Sequence, residues 1–122
     1  MERSAILFAL FALCASPAFA KTEVKLEKGI ASTYAMKFMG HTTASGQVLD
    51  RNGFTAAHNK LPFGTKLVVT NKRNGRKVEV TVNDRGPHHK GRIIDLSPAA
   101  ASELGMRRAG LAPVEIRIAA RH

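Results

Sequence analysis

Two short segments that alternate like half-buried β-strands are joined by a turn sequence. Thr65 to Asn71 and Lys77 to Asn83 carry Val, Leu and Thr at strand spacing, and Lys72-Arg73-Asn74-Gly75 lies between them. Asn-Gly favours the positive backbone angles of a tight turn, so the pair reads as an antiparallel hairpin. The second strand cannot run on, because Val82-Asn83-Asp84-Arg85 meets Gly86-Pro87 and proline has no N–H for a ladder. Arg92-Ile93-Ile94-Asp95-Leu96 is a further strand-like run. Ser97 then reads as a helix N-cap with Pro98 in the first helical position, an Ala-rich turn behind it and Gly105 as the stop. Ala112 to Ala119 alternates again, which turns Val114, Ile116 and Ile118 inward and Glu115 and Arg117 outward.

The first half is less regular. Ile30 to Tyr34 reads as a short strand, Gly40 to Gly53 as a loop rich in Gly, Thr and Ser, and Thr55 to Asn59 as one helical turn. A weak internal echo links Ala56-Ala57-His58, Leu61, Gly64 and the strand from Thr65 with Ala100-Ala101-Ser102, Leu104, Gly110 and the strand from Ala112. The echo suggests two pseudo-symmetric halves. Short strands with one or two short helices in roughly 100 residues argue for a mainly β chain closed as a compact barrel, which leaves no sheet edge exposed.

Residues 1–20 read as a secretory signal: a short apolar run from Ala5 to Ala15, then Ala18-Phe19-Ala20 with small residues at the two positions a signal peptidase reads. Cleavage before Lys21 removes Cys14, the only cysteine, so the exported chain relies on its core and not on a disulfide. Leu13 stands before Cys14 where a lipid-attachment site wants a small residue, so lipoprotein anchoring is not expected. Lys21 to Lys28 is a charged N-terminal extension, either a tether or a first edge strand, and the barrel domain is expected over residues 29–119. The formal net charge is +10, and losing Glu2 and Arg3 together leaves it unchanged. That balance points to an anionic partner. One tyrosine, no tryptophan and an export signal argue against nucleic acid and for an envelope polymer carrying carboxylates or phosphates.

Acids outside the signal are few enough to sort. Glu79 and Glu115 alternate with inward-facing valines and isoleucines, Glu103 sits on the polar side of the short helix, and Glu23 and Glu27 lie in the N-terminal segment. Asp50, Asp84 and Asp95 remain, at element ends or in loops, where functional groups concentrate. Asp84 and Asp95 are a plausible general acid and its supporting group, with Arg85 and Arg92 near enough in sequence to hold one of them ionised. The plainer account is that Asp84 stabilises its turn and Asp95 caps the following helix. His58 has two readings as well, a substrate contact or a structural histidine tying a loop. His88-His89 are adjacent, poor spacing for a shared metal, and no metal site is expected. Ser45 lacks a His–Asp relay, and Gly64-Thr65-Lys66 lacks the glycine spacing of a phosphate loop.

The order of these motifs resembles the rare lipoprotein A family. Ala31-Ser32-Thr33-Tyr34, Thr43-Ala44-Ser45-Gly46, Thr55-Ala56-Ala57-His58, Leu61-Pro62-Phe63-Gly64-Thr65, Val69-Thr70-Asn71, Asn83-Asp84-Arg85-Gly86-Pro87 and Arg92-Ile93-Ile94-Asp95-Leu96-Ser97 follow one another as they do there. The resemblance covers residues 29 to 119 and implies a six-stranded double-psi β-barrel related to those of expansins. It also implies a lytic transglycosylase of bacterial cell-wall glycan that prefers strands stripped of stem peptides and makes 1,6-anhydro-muramyl ends, with no cofactor or metal. By the same resemblance Asp84 is the acid, Asp95 its support, and Tyr34, Ser45, Gln47, Asp50, His58 and Arg85 are substrate-binding positions. A soluble periplasmic monomer is the implied form. This sequence departs from the pattern at Gln47, where many relatives have glutamate, and an amide neither gives nor takes a proton at neutral pH. A non-catalytic, expansin-like glycan-binding barrel is therefore the alternative. Thr33-Tyr34 stands where Trp-Tyr is usual, which removes one stacking surface.

Overall fold

The computed structural model describes residues 26–34 and 38–119, so the expected signal segment and Lys21 to Lys25 lie outside the described residues. Six strands are present: β1 (Leu26–Thr33), β2 (Thr55–Ala57), β3 (Lys66–Asn71), β4 (Lys77–Asp84), β5 (Arg92–Leu96) and β6 (Leu111–Ile118). They close into a barrel in the order β1-β5-β2-β4-β3-β6. The β1/β5 and β2/β4 contacts are parallel and the other four antiparallel. One short helix, α1 (Pro98–Glu103), is described, and no described helix is long and apolar enough to cross a membrane.

Strand alternation builds the interior. Leu67 and Val69 of β3, Val80 and Val82 of β4, Ile94 and Leu96 of β5, and Val114 and Ile116 of β6 are buried, while their strand neighbours, the buried Asn83 excepted, face outward or sit half-exposed. Removing such a side chain from water stabilises by about 1.5–3 kcal/mol before entropy is counted. Ala31, Ala56 and Ala112 also face in, and their small volume lets six strands close tightly. Ala100, Ala101 and Leu104 from α1 and its C-cap, with Met106 just beyond, complete the same cluster.

The β3–β4 hairpin forms as the Asn-Gly signal implies, with Gly75 at φ 78° and the Gly75 N–H bonded to Asn71 O at 2.7 Å. Ser97 caps α1, its Oγ accepting from Ala100 N, and Pro98 opens the first turn. Two expectations change. Thr55–Ala57 is a strand, not part of a helical turn, because β4 and β5 pair with it on both sides and override the helical preference of its alanines. β1 starts at Leu26 instead of Ile30, since Leu26 to Gly29 pair with Arg117 to Val114 of β6.

The halves β1-β2-β3 and β4-β5-β6 are exchangeable. Swapping β1 with β4, β2 with β5 and β3 with β6 reproduces every strand pairing and its direction. The sequence echo matched β3 to β6 correctly but set Ala56-Ala57 against the helix. Their structural counterpart is β5, and shared alanines carried no shared conformation.

Candidate active site

The shortest strand organises the site. Ala57 of β2 lies beside Asp84 of β4 in the parallel pairing and beside Asp95 of β5 in the antiparallel one. Ser32 of β1 stands opposite Asp95. Ile94 and Leu96 point into the core, so Asp95 between them points out. On β4 the register shifts by one residue: Ala56 faces Val82, yet Ala57 faces Asp84. This bulge at Asn83 brings Asp84 to the same outer face as Ala57. Ser32, Asp95, Ala57 and Asp84 thus form one row across four strands. The strands of the two aspartates are about 10 Å apart at normal sheet spacing, with only a methyl group between.

Asp84 is held by three donors. Its Oδ1 accepts from the backbone N–H of Ala44 and of Arg85, each at 2.8 Å, and its Oδ2 accepts from the Tyr34 hydroxyl at 2.5 Å. Oδ2 keeps a second lone-pair position for a substrate. Burial comes first in pushing the Tyr34 phenol far above its ordinary value, followed by the hydrogen bond to Asp84 and the negative charges of Asp84 and Asp95. Tyr34 therefore stays a donor. Asp95 is tied more loosely: the Ser32 hydroxyl donates to Oδ1, and Oδ2 has no hydrogen-bond partner among the described residues.

The loop over the site is a small hairpin. Thr42 and Val48 form a bridge, and Thr43 N–H and Oγ1 both donate to Gln47 O, at 2.7 and 2.8 Å. Ser45 N–H donates to Asn83 O at 3.2 Å, which docks the hairpin on the bulge and delivers Ala44 N–H to Asp84. Ser45 Oγ stays within the turn, 3.1 Å from Thr43 Oγ1. The Gln47 side chain is exposed on this hairpin. Asp50, also exposed, closes the next turn, its Oδ1 accepting from Asn52 N–H at 2.9 Å.

His58 and Arg85 turn away from the aspartates. His58 is buried, its Nδ1 accepting from Lys60 N–H at 3.1 Å and Leu61 N–H at 3.2 Å. Its Nε2 therefore carries the proton and donates to Glu27 Oε1 at 3.0 Å. The pair lines a cavity of about 220 Å³ with Leu61, Leu67 and Ile118, and the two amide contacts tie the His58 ring to its loop. Glu27, read only as part of a terminal segment, is its partner. Arg85 Nη1 donates to His58 O at 3.0 Å and Leu61 O at 2.8 Å, and the guanidinium lies 4.2 Å from the Phe63 ring centre. Among the described residues neither Asp84 nor Asp95 is in an ion pair, so Arg85 and Arg92 do not serve as their counter-charges. Asp95 does not cap α1 either; Ser97 does. No cluster of three or more His, Cys, Asp or Glu with metal-holding geometry occurs among the described residues. Ser32 and the Ala44 amide were missed by sequence reading, since only the strand register reveals the first and only the hairpin fold the second.

The model of the family described as lytic transglycolase matches residues 26–116. The chain belongs to that family. Its RlpA-like, double-psi barrel character is supported by curated relatives. One from Treponema pallidum, named probable endolytic peptidoglycan transglycosylase RlpA, is 53% identical over 98 residues, 80% of this chain and 31% of its own. One from Pasteurella multocida, named endolytic peptidoglycan transglycosylase RlpA, is 54% identical over 90 residues, 74% of this chain and 31% of its own. The chain spans about a third of the length of these relatives. Among solved structures, apo expansin of Clavibacter michiganensis matches with a TM-score of 0.63 at 25% identity, over 80% of this chain and 52% of its own. A Streptomyces papain inhibitor matches with a TM-score of 0.63 at 22% identity, over 79% of this chain and 96% of its own, a likeness of fold alone.

Proposed function

We propose that this barrel is an endolytic lytic transglycosylase of peptidoglycan, acting on glycan strands freed of stem peptides. The observation that carries the reading is the pair Asp84 and Asp95 flanking Ala57 on one outward face. Asp84 protonates the glycosidic oxygen between N-acetylmuramic acid and N-acetylglucosamine as the bond to the anomeric carbon breaks. The muramyl 6-hydroxyl attacks that carbon, its proton returns to Asp84, and a 1,6-anhydro end forms with no water consumed. Asp95 orients the sugar. The route needs no second carboxylate as nucleophile, which suits two aspartates set apart on non-adjacent strands. Tyr34 holds Asp84 in place before and after the proton leaves, its hydroxyl donating to one lone pair of Oδ2 while the other faces the substrate. Ser45, Gln47 and Asp50 contact the strand from the overhanging loop, with His58 and Arg85 supporting the groove from behind. The protein works in the periplasm as a soluble monomer without a cofactor.

The test is the mass of the products. Residues 21–122 incubated with amidase-stripped strands should yield fragments lighter by one water than hydrolysis products. Fragments with ordinary reducing ends would mean hydrolysis and would reject the reading. A second reading, a non-cleaving glycan-binding barrel, is favoured by the exposed amide of Gln47 on the hairpin that contacts Asp84. It predicts intact strands that nevertheless co-sediment with the protein, and cleavage gained by Gln47→Glu.

A further inference from the structure

Gly86 leaves a notch beside Asp95. A Cβ built on Gly86 would stand 3.8 Å from Asp95 Oδ2, 3.9 Å from Ala57 Cβ and 3.9 Å from His88 Nε2. The notch has the size of one Cβ in ordinary contact, since Gly86 has no side chain and Ala57 only a methyl, and both residues are buried. At φ +134°, position 86 also resists any side chain that would fill it. The two polar atoms on its rim are uncommitted. Asp95 Oδ1 takes the Ser32 hydroxyl, while Oδ2 and the His88 ring have no hydrogen-bond partner among the described residues. His88 itself is exposed and plays no part in the core.

We propose that His88 is a further substrate-contact residue of this site, forming with Asp95 Oδ2 a two-point receptor for one sugar hydroxyl in the notch over Gly86. The chemistry of the rim selects that group. A carboxylate oxygen only accepts, and an imidazole nitrogen bearing hydrogen donates, so the ligand must donate to one and accept from the other. A hydroxyl does both through a single oxygen. A second carboxylate would meet Asp95 as a like charge, and an ammonium group would have nothing to accept from His88. The proposal rests on the reading that this face takes glycan, and it adds a residue that reading did not use.

The experiment compares wild type, His88→Ala, His88→Gln, Asp95→Ala and the His88→Ala/Asp95→Ala double variant. Each is tested for binding to stripped glycan strands by co-sedimentation and for KM and kcat in cleavage. His88→Ala should weaken binding and raise KM by about 3- to 10-fold, the worth of one hydrogen bond, with kcat changed less. His88→Gln should recover most of that loss, because its amide still donates and accepts at similar reach. In the Asp95→Ala background the His88→Ala effect should shrink, as expected for two groups holding one hydroxyl. His88→Ala matching wild type, or the two losses simply adding, would overturn the proposal while leaving the function intact. Wild type that neither binds nor cuts strands would overturn both.

Discussion

Tyr34 is the residue whose chemistry is most constrained by its surroundings. It is the only tyrosine and the chain has no tryptophan, so its ultraviolet signal reports on the site directly. An ordinary phenol ionises near pH 10. Here burial and the carboxylates of Asp84 and Asp95 hold it neutral well beyond that. Below pH 10 both folded and unfolded chains keep the proton, and the stabilisation is fully present. Above it the unfolded chain loses the proton and the native one does not, so stability falls as pH rises. An alkaline titration should therefore show no tyrosinate band near pH 10, then a sudden rise coinciding with loss of native circular dichroism. A smooth titration centred near 10 in the folded protein would contradict the Tyr34–Asp84 contact. Sequence made Asp84 and Asp95 legible because few acids remained once the strands were assigned. It could not show that Tyr34 reaches Asp84 across 50 residues, or that His58 faces Glu27, because ring orientation depends on two backbone amides in a loop.

Between elements, Ser97 makes the tightest junction. Its Oγ donates to Gly53 O at 2.6 Å and accepts from Thr55 N–H and Ala100 N–H, both at 3.3 Å. One hydroxyl so joins the loop before β2, β2 itself and the start of α1. Ser97→Ala should lower unfolding free energy by about 1–2 kcal/mol, read as a shift in the urea midpoint at constant slope. Asn71 does similar work at the other end of α1. It is buried, its Nδ2 donating to Leu104 O at 2.9 Å and its Oδ1 accepting from Arg73 N–H at 2.9 Å. Asn71→Ala should cost about 0.5–1.5 kcal/mol by the same measurement, since the Leu104 carbonyl loses one donor but keeps Asn74 Nδ2 at 3.1 Å. The Ser97-Pro98 start and the Asn-Gly hairpin were legible because each is fixed by residues within one turn. β2 was not, because three residues rich in alanine become a strand only when β4 and β5 supply both partners.

At the scale of the molecule, closure and charge matter most. Alternation along each strand suggested a barrel, but the strand order and the bulge at Asn83 that aims Asp84 come from long-range pairing, invisible to local pattern. The net charge of +10 should draw the protein to stripped strands, whose muramic acids carry carboxylates. Binding should weaken steadily as salt rises from low to about molar concentration, because the attraction between exposed charges is screened over a few ångströms there. Salt-independent binding would remove the electrostatic part of the account. Asp84→Asn, with cleavage and binding of stripped strands measured side by side, decides whether Asp84 is the acid proposed for this barrel. Cleavage should fall at least about 100-fold while binding changes little, since the amide keeps the shape but cannot supply the proton. Cleavage by Asp84→Asn at the wild-type rate would contradict that role.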